Sequence, residues 1–215
     1  CFFAVVIVGG CSAFGVISGI IASAPSIEDI DATPTGYLTT VLDNQGNQTA
    51  TLVASGSNRK YVTIDEIPIN LQHAFVAIED ERFYDHNGID LQGILRAGLK
   101  GVASGFHFSE GASTITQQLL KNTVFTQWTS EQSMADKFER KFQEQYLALQ
   151  LEKVVDKDWI LENYLNAINL GQNTLGVGVA SERYFGKDVS ELTLSECAVL
   201  AAFTQSPSYY NPITH

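Results

Sequence analysis

The chain has 215 residues, 45% of them hydrophobic, with 13 Lys and Arg against 24 Asp and Glu for a formal net charge of -11. That length can bury a sizeable core as one good-sized domain or two small ones. The acidic balance argues against nonspecific nucleic-acid binding, so an anionic substrate would have to be met by locally clustered cations.

Residues 1–24, CFFAVVIVGGCSAFGVISGIIASA, carry no charge, and the first acidic or basic side chain is Glu28. A run this long predicts one transmembrane helix. It lacks the charged n-region of a cleaved secretory signal and exceeds the usual h-region. With no initiator Met, the sequence is expected to be a piece of a longer protein. Cys1 and Cys11 sit in the span and Cys197 in the apolar run ECAVLAAF, so there is neither a disulfide framework nor a CxxC site. Cys197 reads as a small core residue.

The polar stretch SAPSIEDIDATPTG has a linker composition, and GYLTTVLDNQGNQTATLVA reads as a hairpin about Asn44 to Gly46. Residues 25–62 are therefore expected to be linker and β-hairpin, and 63–215 the main domain. From Thr63 the period turns helical. Asn70 is a candidate cap for a helix through Tyr84, and Asp90 for one carrying Leu91, Ile94, Leu95, Leu99 and Val102. Ser113 is a candidate cap for STITQQLLKN. Ser130 precedes a long helix with Met134, Phe138, Phe142 and Leu149 on one side. Asp158 is placed to cap the next helix, which ends by Gly171, and Thr193 with Glu196 forms a capping box. The expected fold class is mainly α, on a membrane stalk.

Within AIEDERFYDHNGI stand three consecutive acids, Glu79, Asp80 and Glu81. On a continuous helix Glu79 would lie between Phe75 and Phe83, partly desolvated, whereas Glu81 would line up with Ala77 and Asp85 on a polar row. A partly desolvated carboxylate is the better base near neutral pH, so Glu79 is the candidate. Periodicity alone favours the plainer reading, a half-buried Glu bonded to a backbone amide or to Arg82. A metal site from Asp80, Asp85, His86 and Asp90 is a third reading, but calcium-loop spacing fails, because the required Gly position holds Asp90.

In the long helix Arg140, Lys141 and Glu144 can meet on one side. An ordinary surface ion pair is the commoner case, but this row continues into Ala148 and Leu151, an apolar end that suggests a cleft wall. In GASTITQQLLKN the polar side chains Ser113, Thr114, Thr116, Gln117 and Gln118 crowd a helix start followed by Lys121, an arrangement suited to phosphate.

Together AIEDERFYDHNGI, GASTITQQLLKN, RKFQEQYLALQLE, ILENYLNAINLGQNTLGVGVASERYFGK and LTLSECAVLAAFTQSPSYYNP resemble, in order, the five motifs of glycosyltransferase family 51. That is the peptidoglycan transglycosylase domain of class A penicillin-binding proteins and monofunctional transglycosylases. The resemblance implies a lysozyme-like, two-lobed helical fold that polymerises lipid II, with a lipid-linked growing glycan as donor and undecaprenyl diphosphate as leaving group. It places Glu79 on the catalytic base and Glu144 on the second carboxylate. Lys121, Arg140 and Lys141 fall on positions facing the diphosphate, with Ser113, Thr114, Gln117 and Gln118 lining the substrate site. Phe106 and Phe108 fall on a mobile apolar stretch near the bilayer.

No cofactor is implied with certainty, and a divalent cation such as Mg at the diphosphate is left open. Expected partners are lipid II, the growing glycan, membrane lipid and other cell-wall synthesis proteins, with no nucleic acid. The expected location is a bacterial cell membrane, single-pass, with the domain on the outer face. One departure is NTVFTQWTSEQSMADKFE, longer than usual and without a clear match for a family Arg, where Gln132 or Lys137 stands nearby. The sequence ends at His215 without a Ser-x-x-Lys centre, and a transpeptidase domain could follow. A lysozyme-like hydrolase and a non-catalytic wall-binding module are the competing functions, disfavoured by the cations and by the co-occurrence of Glu79, Glu144 and Lys121.

Overall fold

The computed structural model describes residues 2–104, 111–206 and 209–210. Phe106, Phe108 and Pro207 lie outside the described residues. Helix α1 (Phe2–Ala22) is 21 residues long and uncharged, about 30 Å at the usual rise, the thickness of a bilayer's hydrocarbon core. Strands β1 (Thr39–Leu42) and β2 (Gln48–Leu52) pair antiparallel, Thr39 opposite Leu52, with an irregularity at Val41 and Leu42. The turn forms where the sequence places it: the Asp43 carboxylate accepts from the backbone amides of Gln45 and Asn47, and Gly46 supplies a φ of 86°.

Among the described residues seven further α-helices follow: α2 (Ile69–Glu79), α3 (Leu91–Ala103), α4 (Ile115–Thr123), α5 (Met134–Leu151), α6 (Lys157–Ala167), α7 (Val177–Phe185) and α8 (Leu194–Ala202). The chain is thus mainly helical with a small two-stranded sheet. Helix α4 is central, packing on α5 and α6, while α2 packs on α8. Leu71, Phe75, Leu119, Leu120, Leu147, Tyr164 and Leu165 are fully buried at these contacts, as is Cys197.

Several boundaries differ from the sequence expectation. Helix α2 begins after Pro68 and stops at Glu79 rather than running to Tyr84. The cause is Asp80, whose carboxylate accepts from the backbone amide of Ile115 at 3.0 Å and pairs with His86 Nε2 at 2.9 Å. A side chain committed to the start of α4 pulls its own backbone out of the helix, to φ -160° and ψ 73°. The cap of α4 is Thr114, not Ser113, and the cap of α5 is Ser133, not Ser130. Helix α6 is capped by Asp156 rather than Asp158. The Thr193 and Glu196 capping box forms as expected.

On α5 the buried side is Gln143, Glu144, Leu147, Ala148 and Leu151, while Met134 and Phe138 face outward, 79% and 59% exposed. The apolar stripe of α3 is also uncovered, with Leu91, Leu95, Leu99 and Val102 all above 60% exposed. Residues 58–62, read as linker, are stitched to α6. Arg59 Nε donates to Asn166 O at 2.6 Å, and Val62 and the Asn166 side chain exchange two hydrogen bonds.

Gly88 (φ 90°) closes the turn after Asp80 against α5, where a Cβ would stand 2.5 Å from Ala148 O. Thr114 Oγ1 donates to Gly88 O at 2.7 Å. The turn, α4 and α5 are thereby locked one to another.

Candidate active site

Glu79 is the last residue of α2 and half-buried. Its Oε2 accepts from Gln118 Nε2 at 2.8 Å, and the Tyr164 hydroxyl reaches Gln118 Oε1 at 3.5 Å. Burial pushes the Tyr164 phenol well up, and the charges of Glu79 and Asp80 add to this, so it remains a donor. That fixes which end of the Gln118 amide faces Glu79. Phe83 is fully buried but lies beyond the helix end, so only Phe75 follows the helical spacing. Arg82 is not the partner of Glu79. It pairs with Asp90 and with Glu81, which also receives Arg96 at 2.9 Å.

Glu144 is fully buried. Arg140 Nη1 bonds one of its oxygens, and Lys141 Nζ the other at 2.9 Å. Lys141 also donates to Ser113 Oγ at 2.9 Å, and Arg140 Nε to Glu131 Oε1 at 2.7 Å. Lys121, on the last turn of α4, rests with Nζ 4.5 Å from the Trp128 ring centroid. Burial draws its ammonium below the ordinary lysine range. Glu144 opposes that shift, Lys141 and Arg140 add to it, and Glu79 opposes it more weakly. Among the described residues Lys121 makes no ion pair. Two carboxylates and three cations thus share one electrostatic neighbourhood around α4, the clustering an acidic chain needs to hold an anion.

A cleft of about 420 Å³ opens on the other side of Glu79. Its lining includes Glu79, Glu81, Arg82, Asp90, Arg96, Lys100, Ser113 and Thr114. Asp90 is drawn down to about 2, chiefly by its bond to Arg82. Thr114 and Gln117 are nearly fully buried, and the Thr114 hydroxyl is taken up by capping α4 and by Gly88. Ser113 and Gln118 are the two polar residues of this segment that touch charged site residues.

The candidate metal set does not converge. Asp80 holds His86 and the α4 amide, Asp90 holds Arg82, and among the described residues no three His, Cys, Asp or Glu side chains are grouped to hold an ion. Gln132 and Lys137 are exposed, and the residues of that segment that reach the cluster are Trp128 and Glu131.

A sequence model of the transglycosylase family matches residues 45–215. The chain belongs to the transglycosylase family. It is 43% identical to penicillin-binding protein 1A of Clostridium perfringens (strain 13 / Type A), over 99% of this chain and 31% of that protein. It is 44% identical to penicillin-binding protein 1A of Clostridium novyi (strain NT), over 94% of this chain and 23% of that one. With penicillin-binding protein 1A/1B of Bacillus subtilis (strain 168) the identity is 41%, over 98% and 22%. The chain therefore spans a third or less of the length of these relatives. All nine site residues expected from sequence fall inside the matched transglycosylase region.

Sequence reasoning missed Glu131, Tyr164, Trp128 and the basic side chains Arg96 and Lys100 of the cleft. Arg96 and Lys100 lie four apart on one helix row, a signal present in the sequence but indistinguishable there from a solvated face. Trp128 and Glu131 reach the site because the turn between α4 and α5 folds them back on Lys121 and Arg140, and Tyr164 because α6 packs on α4.

Proposed function

We propose that this domain is a peptidoglycan glycosyltransferase that polymerises lipid II and releases undecaprenyl diphosphate. The observation that carries the reading is the charge cluster beside α4: Glu79, which lines the cleft and is held by Gln118, lies near enough to Lys121 for its charge to act there, as do Glu144, Lys141 and Arg140.

In this reading the acceptor's sugar 4-hydroxyl approaches Glu79, which takes its proton as the oxygen bonds to the donor's anomeric carbon. The bond from that carbon to the diphosphate oxygen breaks, and its electron pair leaves with the diphosphate. Lys121, Arg140 and Lys141 balance the developing charge. Glu144 holds Arg140 and Lys141 at fixed positions. Fully buried and bonded by both cations, it has no free oxygen edge for attack on a sugar. One displacement from the face opposite the leaving group inverts the anomeric centre, so an α-linked donor gives a β-linked polymer. Retention would need a carboxylate nucleophile.

Among the described residues no three His, Cys, Asp or Glu side chains are grouped to hold an ion, and Glu144 is committed to two cations. No step above is routed through a metal. Helix α1 has the length and composition to anchor the domain, with the catalytic part on the outer face, and the exposed α3 stripe supports a substrate whose tail stays in lipid.

The test is to incubate the chain with lipid II and read the anomeric linkage of the intact polymer by NMR, with its cleavage by muramidase as a second check. A β-linked polymer is expected. Retained configuration, or sugars released from finished wall with no polymer made, would overturn the reading in favour of a hydrolase.

A further inference from the structure

Helix α1 meets the domain on α5, and hydrogen bonds join the two. Helix α1 has no basic residue in its last turn, and the first Lys or Arg of the whole chain is Arg59. The end of α1 that leads into the domain therefore carries no snorkelling cation. Ser23 and Ala24 satisfy the Gly19, Ile20 and Ile21 carbonyls of the last turn, and α5 bonds to this same end. Gln143 Nε2 donates to Ser23 Oγ at 3.1 Å and lies 3.5 Å from Ile20 O. Ser23 Oγ stands 2.8 Å from Ile20 O and 3.3 Å from Glu139 Oε1, sharing its one proton between them. Glu139 Oε1 also lies 3.5 Å from the Gln143 amide.

Gln143 is only 9% exposed, and its chain neighbour is the fully buried Glu144. The same two turns of α5 carry Arg140 and Lys141. On the adjacent row the Phe138 and Phe142 rings pack at 4.9 Å between centroids, tilted by 53°, and Met134 and Phe138 are exposed. An uncovered apolar row beside the exit of a bilayer-length helix is suited to lie against lipid.

We propose that Gln143 is a positioning residue that latches α1 to α5 and so sets the height of the Arg140, Lys141 and Glu144 cluster above the membrane. The inference rests on the glycosyltransferase reading. A lipid tail fixes where a diphosphate sits at the bilayer surface, so the cations must be held at that height. A domain hung on a loose linker would sample many heights and lose effective concentration at the headgroup. The Gln143 side chain touches none of the charged site groups, so its effect runs through α1.

The test uses Gln143→Leu, close in size and without a donor, in the full chain reconstituted in phosphatidylglycerol and phosphatidylethanolamine vesicles. Two substrates are compared: lipid II with its full-length tail in the same vesicles, and a soluble short-tailed analogue. On the long-tailed substrate kcat/KM is expected to fall about tenfold, or about 1.4 kcal/mol, through KM. On the short-tailed one parent and variant should match. Adding Ser23→Ala to Gln143→Leu should cost little more, because both remove one contact.

An activity-independent readout places spin labels at Gly19→Cys and Lys137→Cys, with Cys1 and Cys11 replaced by Ala. The parent should give one narrow distance and Gln143→Leu a broad distribution. An equal loss on both substrates, or an unchanged distance distribution, would overturn the latch. If the parent polymerised neither substrate, the glycosyltransferase reading would fall, and the spin-label distances would still decide the latch.

Discussion

Replacing Glu144 by Ala removes the acceptor that Arg140 and Lys141 share at the centre of the site. Breaking a buried ion pair by deleting one partner generally costs about 3 to 5 kcal/mol, because the other charge is left uncompensated. Here both surviving cations keep a partner, Arg140 through Glu131 at 2.7 Å and Lys141 through Ser113 at 2.9 Å. Lys141 is also 38% exposed and can rehydrate. The expected loss is therefore the low end of the range, about 3 kcal/mol, or a fall in Tm of roughly 6 to 12 °C for a chain of this size. Glu144→Gln should cost less, because the amide keeps one oxygen for one cation while turning its NH2 toward the other. Thermal unfolding followed by circular dichroism in detergent measures both. Polymerisation assayed below the new Tm should still be impaired for Glu144→Ala, with Arg140 and Lys141 no longer held together. A Tm within 1 °C of the parent, or full activity at low temperature, would refute the role of Glu144 as the strut of the cation cluster.

Glu79→Gln retains the Gln118 contact and the shape of the site but cannot take a proton, so glycan polymerisation should drop by about 100 to 10,000-fold with no change in Tm; a parent-like rate on a gel of the glycan products would remove Glu79 as the base. Lys121→Ala should lower polymerisation by roughly 100 to 1000-fold. Burial lowers the Lys121 pKa in the folded chain below its ordinary 10.5. Below the folded value both states are charged and the fold carries the cost of the buried ammonium. As pH rises through the window up to 10.5 the folded chain sheds its proton first, so this group's contribution to stability increases. Activity should fall over the same window, and a parent-minus-Lys121→Met comparison of Tm against pH should narrow across it; a constant difference would contradict the burial. Gly88→Ala, at φ 90° with its Cβ 2.5 Å from Ala148 O, should destabilise the chain by about 2 to 3 kcal/mol in urea unfolding, and a neutral result would show that the turn does not press on α5.

The separation between what was legible in the sequence and what was not follows the range of the forces involved. Turn chemistry at Asp43 and Gly46 and the Thr193 and Glu196 capping box act within a few residues, and both form as read. The side of α5 bearing Glu144, Ala148 and Leu151 was legible as buried because the row itself turns apolar at its distal end. The exposure of its opposite face was not legible: Met134 and Phe138 have core-like chemistry, and a helix's period says only that an apolar face exists, not whether another element covers it. The same holds for Leu91, Leu95 and Leu99 on α3. Glu79 was chosen from a helix assumed to reach Phe83, whereas α2 breaks at Asp80 because of a hydrogen bond to Ile115, 35 residues on. No local signal reports a partner that distant. Residue types and spacings alone raised Glu79 and the cations only as candidates, because charge and helical period are properties of the chain, and the family resemblance gave them their expected roles. That Glu79 is oriented by Gln118 and Tyr164, that Glu144 is saturated by Arg140 and Lys141, and that α1 meets α5 at Gln143 was decided by tertiary packing, which brings together groups up to 123 residues apart and settles which polar atoms are already satisfied.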